Sequence, residues 1–338
     1  MPTTTRPNIL LLVTDQQRWD TVSAYGVNDV CRTPHVDAGG ARGALRQCLY
    51  AHRHLLTGGV ALHRVVSAQS RRYGERSFDS RRRRGVTDYL NPAGYRCGYA
   101  GKWHADEART QPTRFHRQRL HGLRLPRFRG CCPAAIRRKT QRTQPYAEYL
   151  QERGFDLPTV SHRYVGTNPG CQTQEMFALH EGPVESCIEY FVAEETIRLI
   201  DELGGGDEPF FIWGNFWGPH TPCLVPEPYF SMYHPDDIAE HPSYRETFEN
   251  KPYRQQLIER MWGLGDLGWR GFQEITARYY GHVTCSTTWW AALLNTCPRG
   301  DSWKTRSSSS PPITATAWAH TSSSKRASSC TTRSTASP

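Results

Sequence analysis

The sequence contains no uninterrupted run of about 18 apolar residues, so nothing in it reads as a helix that spans a membrane. Apolar side chains are scarce, at 37% of 338 residues, which is low for a folded chain of this size. C-x-x-C pairs are absent, and the eleven cysteines show no regular spacing. That disfavours both a disulfide framework and a zinc ribbon. The adjacent Cys131 and Cys132 lack the separation that metal ligands need. The apolar start, Ile9 to Val13, is too short for the core of a secretory leader and has no cleavage site, so a cytoplasmic location is expected. The length leaves room for one large α/β domain or two ordinary ones with a real core.

The formal net charge is +10, but it is unevenly distributed. Residues 39–84 carry eleven Arg and two acids, and residues 105–144 carry ten Arg, one Lys and two acids. Residues 285–338 add six bases and one acid. The remainder, 1–38, 85–104 and 145–284, holds 14 bases against 27 acids and is acidic at −13. One reading of the basic blocks is nucleic-acid binding through Arg81 to Arg84 and the 114–142 stretch. The other is that these blocks are not native protein. Basic runs are usually solvated, which disfavours the first reading.

The acidic parts read as an α/β enzyme. Asn8 to Thr14 is a buried parallel strand that delivers Asp15 and Gln16 at its C-terminal end, where open α/β sheets place ligands. A short helix at 86–91 precedes a strand from Arg96 to Ala100, which ends in Gly101-Lys102-Trp103-His104. Apolar residues at Ile188, Phe191, Val192, Ile200 and Leu203 predict an amphipathic helix over 188–203, with Ile197 off its main face. Pro209 to Trp213 predicts another buried strand, running into Gly218-Pro219-His220-Thr221-Pro222, and 271–283 predicts a further helix. Alternating strands and helices imply a largely parallel sheet covered on both faces. Each polar strand end also has a plain structural reading. Asp15 could cap a turn, Lys102 and His104 could lie on a solvated loop, and His220 could mark a rigid surface turn.

These residues match a family. Pro7 to Arg18 resembles the opening of the sulfatases, within the alkaline phosphatase superfamily. Thr33-Pro34-His35-Val36-Asp37 resembles their T-P-N-[IL]-D segment, and Gly94-Tyr95 followed by Gly101-Lys102-Trp103-His104 resembles their G-Y and G-K-W-H motif. Pro209-Phe210-Phe211 and His220-Thr221-Pro222 resemble the P-F-F and H-x-P signals. The resemblance covers 1–38, 85–104 and 145–284, and implies an α/β fold with a largely parallel central sheet flanked by helices, incomplete in this chain. Residues 1–284 are then the catalytic domain and 285–338 a continuation without order as written.

Two family motifs are missing: C-x-P-x-R, whose Cys becomes formylglycine, and D-[HN]-G, which supplies further metal ligands. Both would fall in the basic blocks. Reading the codons permitted for Gly43 to Gly58 one nucleotide later allows V-R-F-D-N-A-Y-T-P-T-A-I-C-S-P-A. The same shift allows T-G-L-Y-P-H from His63 onward and D-F-I-G-N-G-F-T-G-F-D-F-P over Arg114 to Pro126. A two-nucleotide shift allows F-D-D-M-V-G-R-L from Cys285 and L-V-V-F-T-T-D-H-G-Y-G within Asp301 to His320. The motif Arg is not recovered, which requires a further local error between Gly58 and Leu62. The expectation is that 39–84, 105–144 and the tail are frameshifted. As written, the chain lacks the nucleophile and half the metal ligands. It also ends soon after the D-H-G position, where the family continues with a smaller C-terminal domain. It is expected to be inactive and poorly folded.

The resemblance implies hydrolysis of sulfuric esters by a hydrated formylglycine, a covalent mechanism with an activated nucleophile. Asp15 and Gln16 would supply half of a site for a divalent cation, Ca²⁺ or Mn²⁺ with Mg²⁺ as a further option. Lys102 would bind the ester oxygens. His104 would assist proton transfer at the nucleophile, and His220 would bind the anion or protonate the leaving group. Gln16 departs from the Asp-Asp pair of many arylsulfatases and resembles the phosphonate and phosphate ester hydrolase branch. The expected partner is a small sulfate or phosphate ester, with no nucleic acid and no membrane. An inactive pseudoenzyme is a further reading.

Overall fold

The computed structural model describes residues 6–23, 30–31, 86–102, 117–121, 145–156, 158–165, 175–245, 247, 249–251, 253, 267–296 and 313–319. In chain order the main elements are β1 (Asn8–Thr14), α1 (Thr87–Leu90), β2 (Arg96–Lys102), β3 (Arg117–His121), α2 (Pro145–Glu152), β4 (Val160–Val165), β5 (Glu175–His180), α3 (Ile188–Gly204), β6 (Phe210–Asn215), β7 (Cys223–Pro226), α4 (Trp269–Thr296) and β8 (Ile313–Ala319). The central sheet has the order β3-β2-β6-β1-β8, and every pairing in it is parallel.

Side chains alternate faces along a strand, and that alternation divides the core. Leu10, Leu12, Ala100, Phe210 and Ile212 point to one face and pack with Phe191, Val192, Leu199 and Leu203 of α3. Leu11, Val13, Cys97, Tyr99, Phe211 and Trp213 point to the other, where Val86, Leu90 and Ala93 cover them. Because both faces are covered, these strands read as continuous apolar runs, as β1 does. Burying side chains such as Phe191 and Leu199 stabilises the fold by about 1.5–3 kcal/mol each. Ile197, predicted off the main face of α3, is partly buried at the margin of the same cluster.

A second, three-stranded sheet has the order β4-β5-β7, with β4–β5 antiparallel and β5–β7 parallel. It packs with α4 through Phe177, Val225, Ile275, Tyr279 and Val283. The sequence pattern does not predict this sheet.

Two features of the structure bear on the tail. The domain boundary at residue 284 falls inside α4, which continues to Thr296. The physical reason is that Trp290 and Leu293 extend the apolar stripe of α4 into the cluster around α3, with the Trp290 and Phe216 rings 5.7 Å apart between centroids. Residues beyond α4 also contribute β8, paired in register along β1 from Asn8–Ile313 to Thr14–Ala319. That strand lies beyond the residues to which the shifted reading assigns the strand before D-H-G. The Cys position of the shifted reading, the Thr33–Asp37 segment and His104 lie outside the described residues.

Gly101 is the one position in β2 where the backbone dictates the residue. Its φ is +104°, and a Cβ there would overlap the Asn215 carbonyl oxygen on β6. Substitution by Ala is expected to cost at least about 2 kcal/mol, from the disfavoured φ together with the separation it forces on β2 and β6. Urea denaturation measures the loss.

Candidate functional site

The C-terminal ends of β2, β6 and β1 lie side by side. Asn215 pairs with both Val13 and Gly101, which brings the segments after all three strands to one edge. Asp15 follows β1, Lys102 closes β2, and Phe216 to Pro222 follows β6. The structure brings together four of the five candidate residues, and His104 lies outside the described residues.

Lys102 Nζ donates to Asp15 Oδ2, and both side chains are buried. Their titration shows what this burial costs. Desolvation pushes the Asp15 carboxyl up to about 6, although Lys102 pulls it down through its charge and hydrogen bond. Desolvation likewise lowers the Lys102 pKa, against the opposing pull of Asp15. Both groups move toward their neutral forms, so burial outweighs their attraction. A buried pair of that kind is a poor source of stability and is a mark of a functional site.

Two oxygens beside this pair have no hydrogen-bond partner: Asp15 Oδ1 and Gln16 Oε1, both buried. Buried polar atoms are normally satisfied, so each such orphan needs an explanation. A carboxylate oxygen and an amide oxygen fit a hard divalent cation. Among the described residues no group of three or more His, Cys, Asp or Glu side chains could hold a metal. Asp15 and Gln16 therefore fit as part of a cation site whose other ligands would come from elsewhere.

The local backbone is shaped for this display. Gln16 has φ 64°, a left-handed conformation uncommon outside glycine. Tyr279 of α4 holds that turn. Its hydroxyl donates to the Gln16 carbonyl at 2.8 Å and accepts from the Arg18 N–H at 2.7 Å. The Asp15 N–H donates to the Gly218 carbonyl at 3.1 Å, which ties the two loops together. The Asn215 amide donates to the Lys102 carbonyl at 2.6 Å and to the Tyr99 hydroxyl at 3.0 Å.

Trp217 links Lys102 to His220. The Lys102 ammonium lies 3.9 Å from the centre of the Trp217 ring, and the Trp217 and His220 rings are 5.0 Å apart. His220 is half-buried, its Nδ1 against the Thr221 carbonyl. Pro219 and Pro222 on either side both follow cis peptide bonds.

Sequence reasoning missed three parts of this arrangement: Trp217 as the bridge, Tyr279 as the clamp, and a buried pair behind the loop formed by Glu189 and His282. Position supplied one usable signal. Glu189 lies between the apolar residues Ile188 and Phe191, on the buried side of the helix.

Comparison with known proteins gives a consistent result. A family model described as Sulfatase matches residues 7–286. An arylsulfatase of Clostridium perfringens (strain 13 / Type A) is 23% identical over 296 residues, which cover 82% of this chain and 56% of that protein. The crystal structure of the phosphonate monoester hydrolase of Agrobacterium radiobacter aligns with a TM-score of 0.62 at 19% identity, covering 92% of this chain and 62% of that one. The phosphonate monoester hydrolase of Silicibacter pomeroyi aligns with a TM-score of 0.61 at 16% identity, over 93% and 62%. The chain thus spans less than two thirds of the length of each of these relatives.

Proposed function

This chain belongs to the sulfatase family, and on that premise we propose that the protein it derives from is a metal-dependent hydrolase of sulfuric esters. The observation that carries the proposal is the buried Asp15–Lys102 pair with the orphaned oxygens of Asp15 and Gln16 beside it. A cation and two unsatisfied oxygen ligands at the ends of parallel strands suit an oxygen-rich ester anion and a divalent metal.

Asp15 and Gln16 would hold the metal. When bound, a divalent cation polarises the ester oxygens and acidifies the nucleophile. Lys102 supplies a fixed positive charge for the non-bridging oxygens, and Trp217 against it keeps water away, so the charge acts in a medium of low dielectric. His220 would bind the anion or give a proton to the leaving oxygen, and His104 would assist proton transfer at the nucleophile. We assign the nucleophile and the remaining ligands to the alternative frames of 39–84 and 285–338. The nucleotide sequence tests this assignment directly, since stop codons in those frames would exclude it.

A second reading, hydrolysis of phosphonate or phosphate monoesters, has one feature in its favour. Gln16 contributes a neutral amide where a second carboxylate would add negative charge, which suits the dianion of a phosphate monoester. The test is an enzyme made from the restored frames, assayed with Mn²⁺ and with Ca²⁺ on 4-nitrophenyl sulfate and on a phenylphosphonate monoester. Turnover of the sulfate ester supports the first reading, and turnover of the phosphonate alone supports the second. No turnover of either would count against both.

A further inference from the structure

Among the described residues, the most deeply buried ionic pair outside the candidate site is Glu189–His282. Their side chains are 0% and 1% exposed, and His282 Nε2 lies 2.9 Å from Glu189 Oε1. One comes from the first turn of α3 and the other from the middle of α4. Both belong to the acidic, family-like part of the chain. A charged pair so deeply buried is an expensive way to join two helices, because apolar side chains of similar volume do as well or better.

The pair abuts the loop after β6. A Cβ placed on Gly218 would overlap Ser286 Oγ, and it would lie 2.6 Å from His282 Nε2 and 3.0 Å from Glu189 Oε1. Gly218 is therefore pressed directly onto the pair, with no room for any side chain. Its carbonyl accepts the Asp15 N–H, and its neighbours are Trp217, which lies on Lys102, and the Pro219-His220 step. Other titratable groups around the pair are Cys223 of β7 near His282, Cys285 of α4 near Glu189, and, also near Glu189, His180 of β5 and Tyr146 of α2.

We propose that Glu189 and His282 are positioning residues: acting through Gly218, they set the Trp217–His220 turn against Asp15 and Lys102. The proposal rests on that turn belonging to an ester-hydrolysing site. The pair touches neither the metal position nor the substrate position; it fixes where Trp217 and His220 stand.

The test uses the full chain with Glu189→Gln, His282→Gln, the double variant and Gly218→Ala, the last of which displaces the turn without changing charge. Three quantities are read: the ¹H–¹⁵N ring signals of His220, the affinity for inorganic phosphate by calorimetry, and the thermal midpoint. Each single variant is expected to shift the His220 signals and to weaken phosphate binding by about 10–100-fold, the usual range for a supporting residue behind a site. Gly218→Ala is expected to do the same. The double variant, with a neutral hydrogen-bonded pair, is expected to recover most of both. Single variants that lower the midpoint yet leave the His220 signals and phosphate affinity unchanged would make the pair a simple helix pin and overturn the proposal. If a single variant does not fold, Gly218→Ala and the double variant decide by the same readouts. An unaltered chain that fails to bind phosphate reflects the ligands it lacks as written, and the His220 signals then judge the positioning.

Discussion

Lys102→Met is expected to destabilise the chain by about 3–5 kcal/mol, the usual cost of removing one partner from a buried ion pair. The side chains are of similar length and Lys102 is buried, so little of the loss comes from packing. The loss comes from Asp15, which already pays for its burial and would keep neither the Lys102 hydrogen bond nor its charge. Denaturation at pH 7 measures this directly. The double variant Lys102→Met/Asp15→Leu is expected to recover most of the stability, because an apolar pair replaces an unmatched carboxylate. If Asp15 also binds a metal, millimolar Mn²⁺ is expected to offset part of the Lys102→Met loss, since it returns a positive charge to the same carboxylate. In the frame-restored enzyme the same substitution is expected to lower kcat by about 10²–10³-fold, as removal of a preorganised charge at a developing oxyanion does. A Lys102→Met chain as stable as its parent would show that Asp15 finds another partner, and the ion pair would then lose its place in the site.

Particular residues show how much could be read without the structure. The bounds of β1 are those predicted, because a strand buried on both faces must be apolar at every position and polar at its end. For the same reason the strand ends pointed to Asp15, Lys102 and His220, and the sheet order places them at one edge. α3 was legible from its apolar spacing to within one residue. The second sheet was not. β7 has four residues, and β4 is broken by irregular pairing around His162, whose φ is 44°. Strands so short and irregular carry no clean two-residue alternation. The Glu189–His282 pair was hidden for a different reason: the partners are 93 positions apart, and each taken alone reads as an ordinary polar residue on a helix. Only the packing of α3 on α4 brings them together.

The same pair gives the fold a pH dependence with a definite sign. Burial alone would lower the His282 pKa. The charge of Glu189, with hydrogen bonds that the imidazolium donates to Glu189 and Cys223, outweighs it and raises the imidazole from 6.5 to about 10. In the unfolded chain the ring returns to its ordinary value near 6.5. Below about pH 6.5 both states hold the proton, and the stabilisation is fully present. Between about pH 6.5 and 10 the unfolded chain has released its proton and the folded chain has not, so stability falls steadily as pH rises. Complete loss of the stabilisation removes up to about 5 kcal/mol, since each pH unit crossed between the unfolded and folded pKa values removes roughly 1.4 kcal/mol. Lys102 acts in the opposite sense at the alkaline end, because its depressed pKa lets the folded state release a proton first. The comparison must therefore be between the parent chain and His282→Gln, which share Lys102. The difference between their stabilities, from urea titrations at pH steps from 6 to 10, is expected to shrink across the window. A constant difference would mean that His282 is neutral in the folded chain, and that Glu189 holds it by an uncharged hydrogen bond.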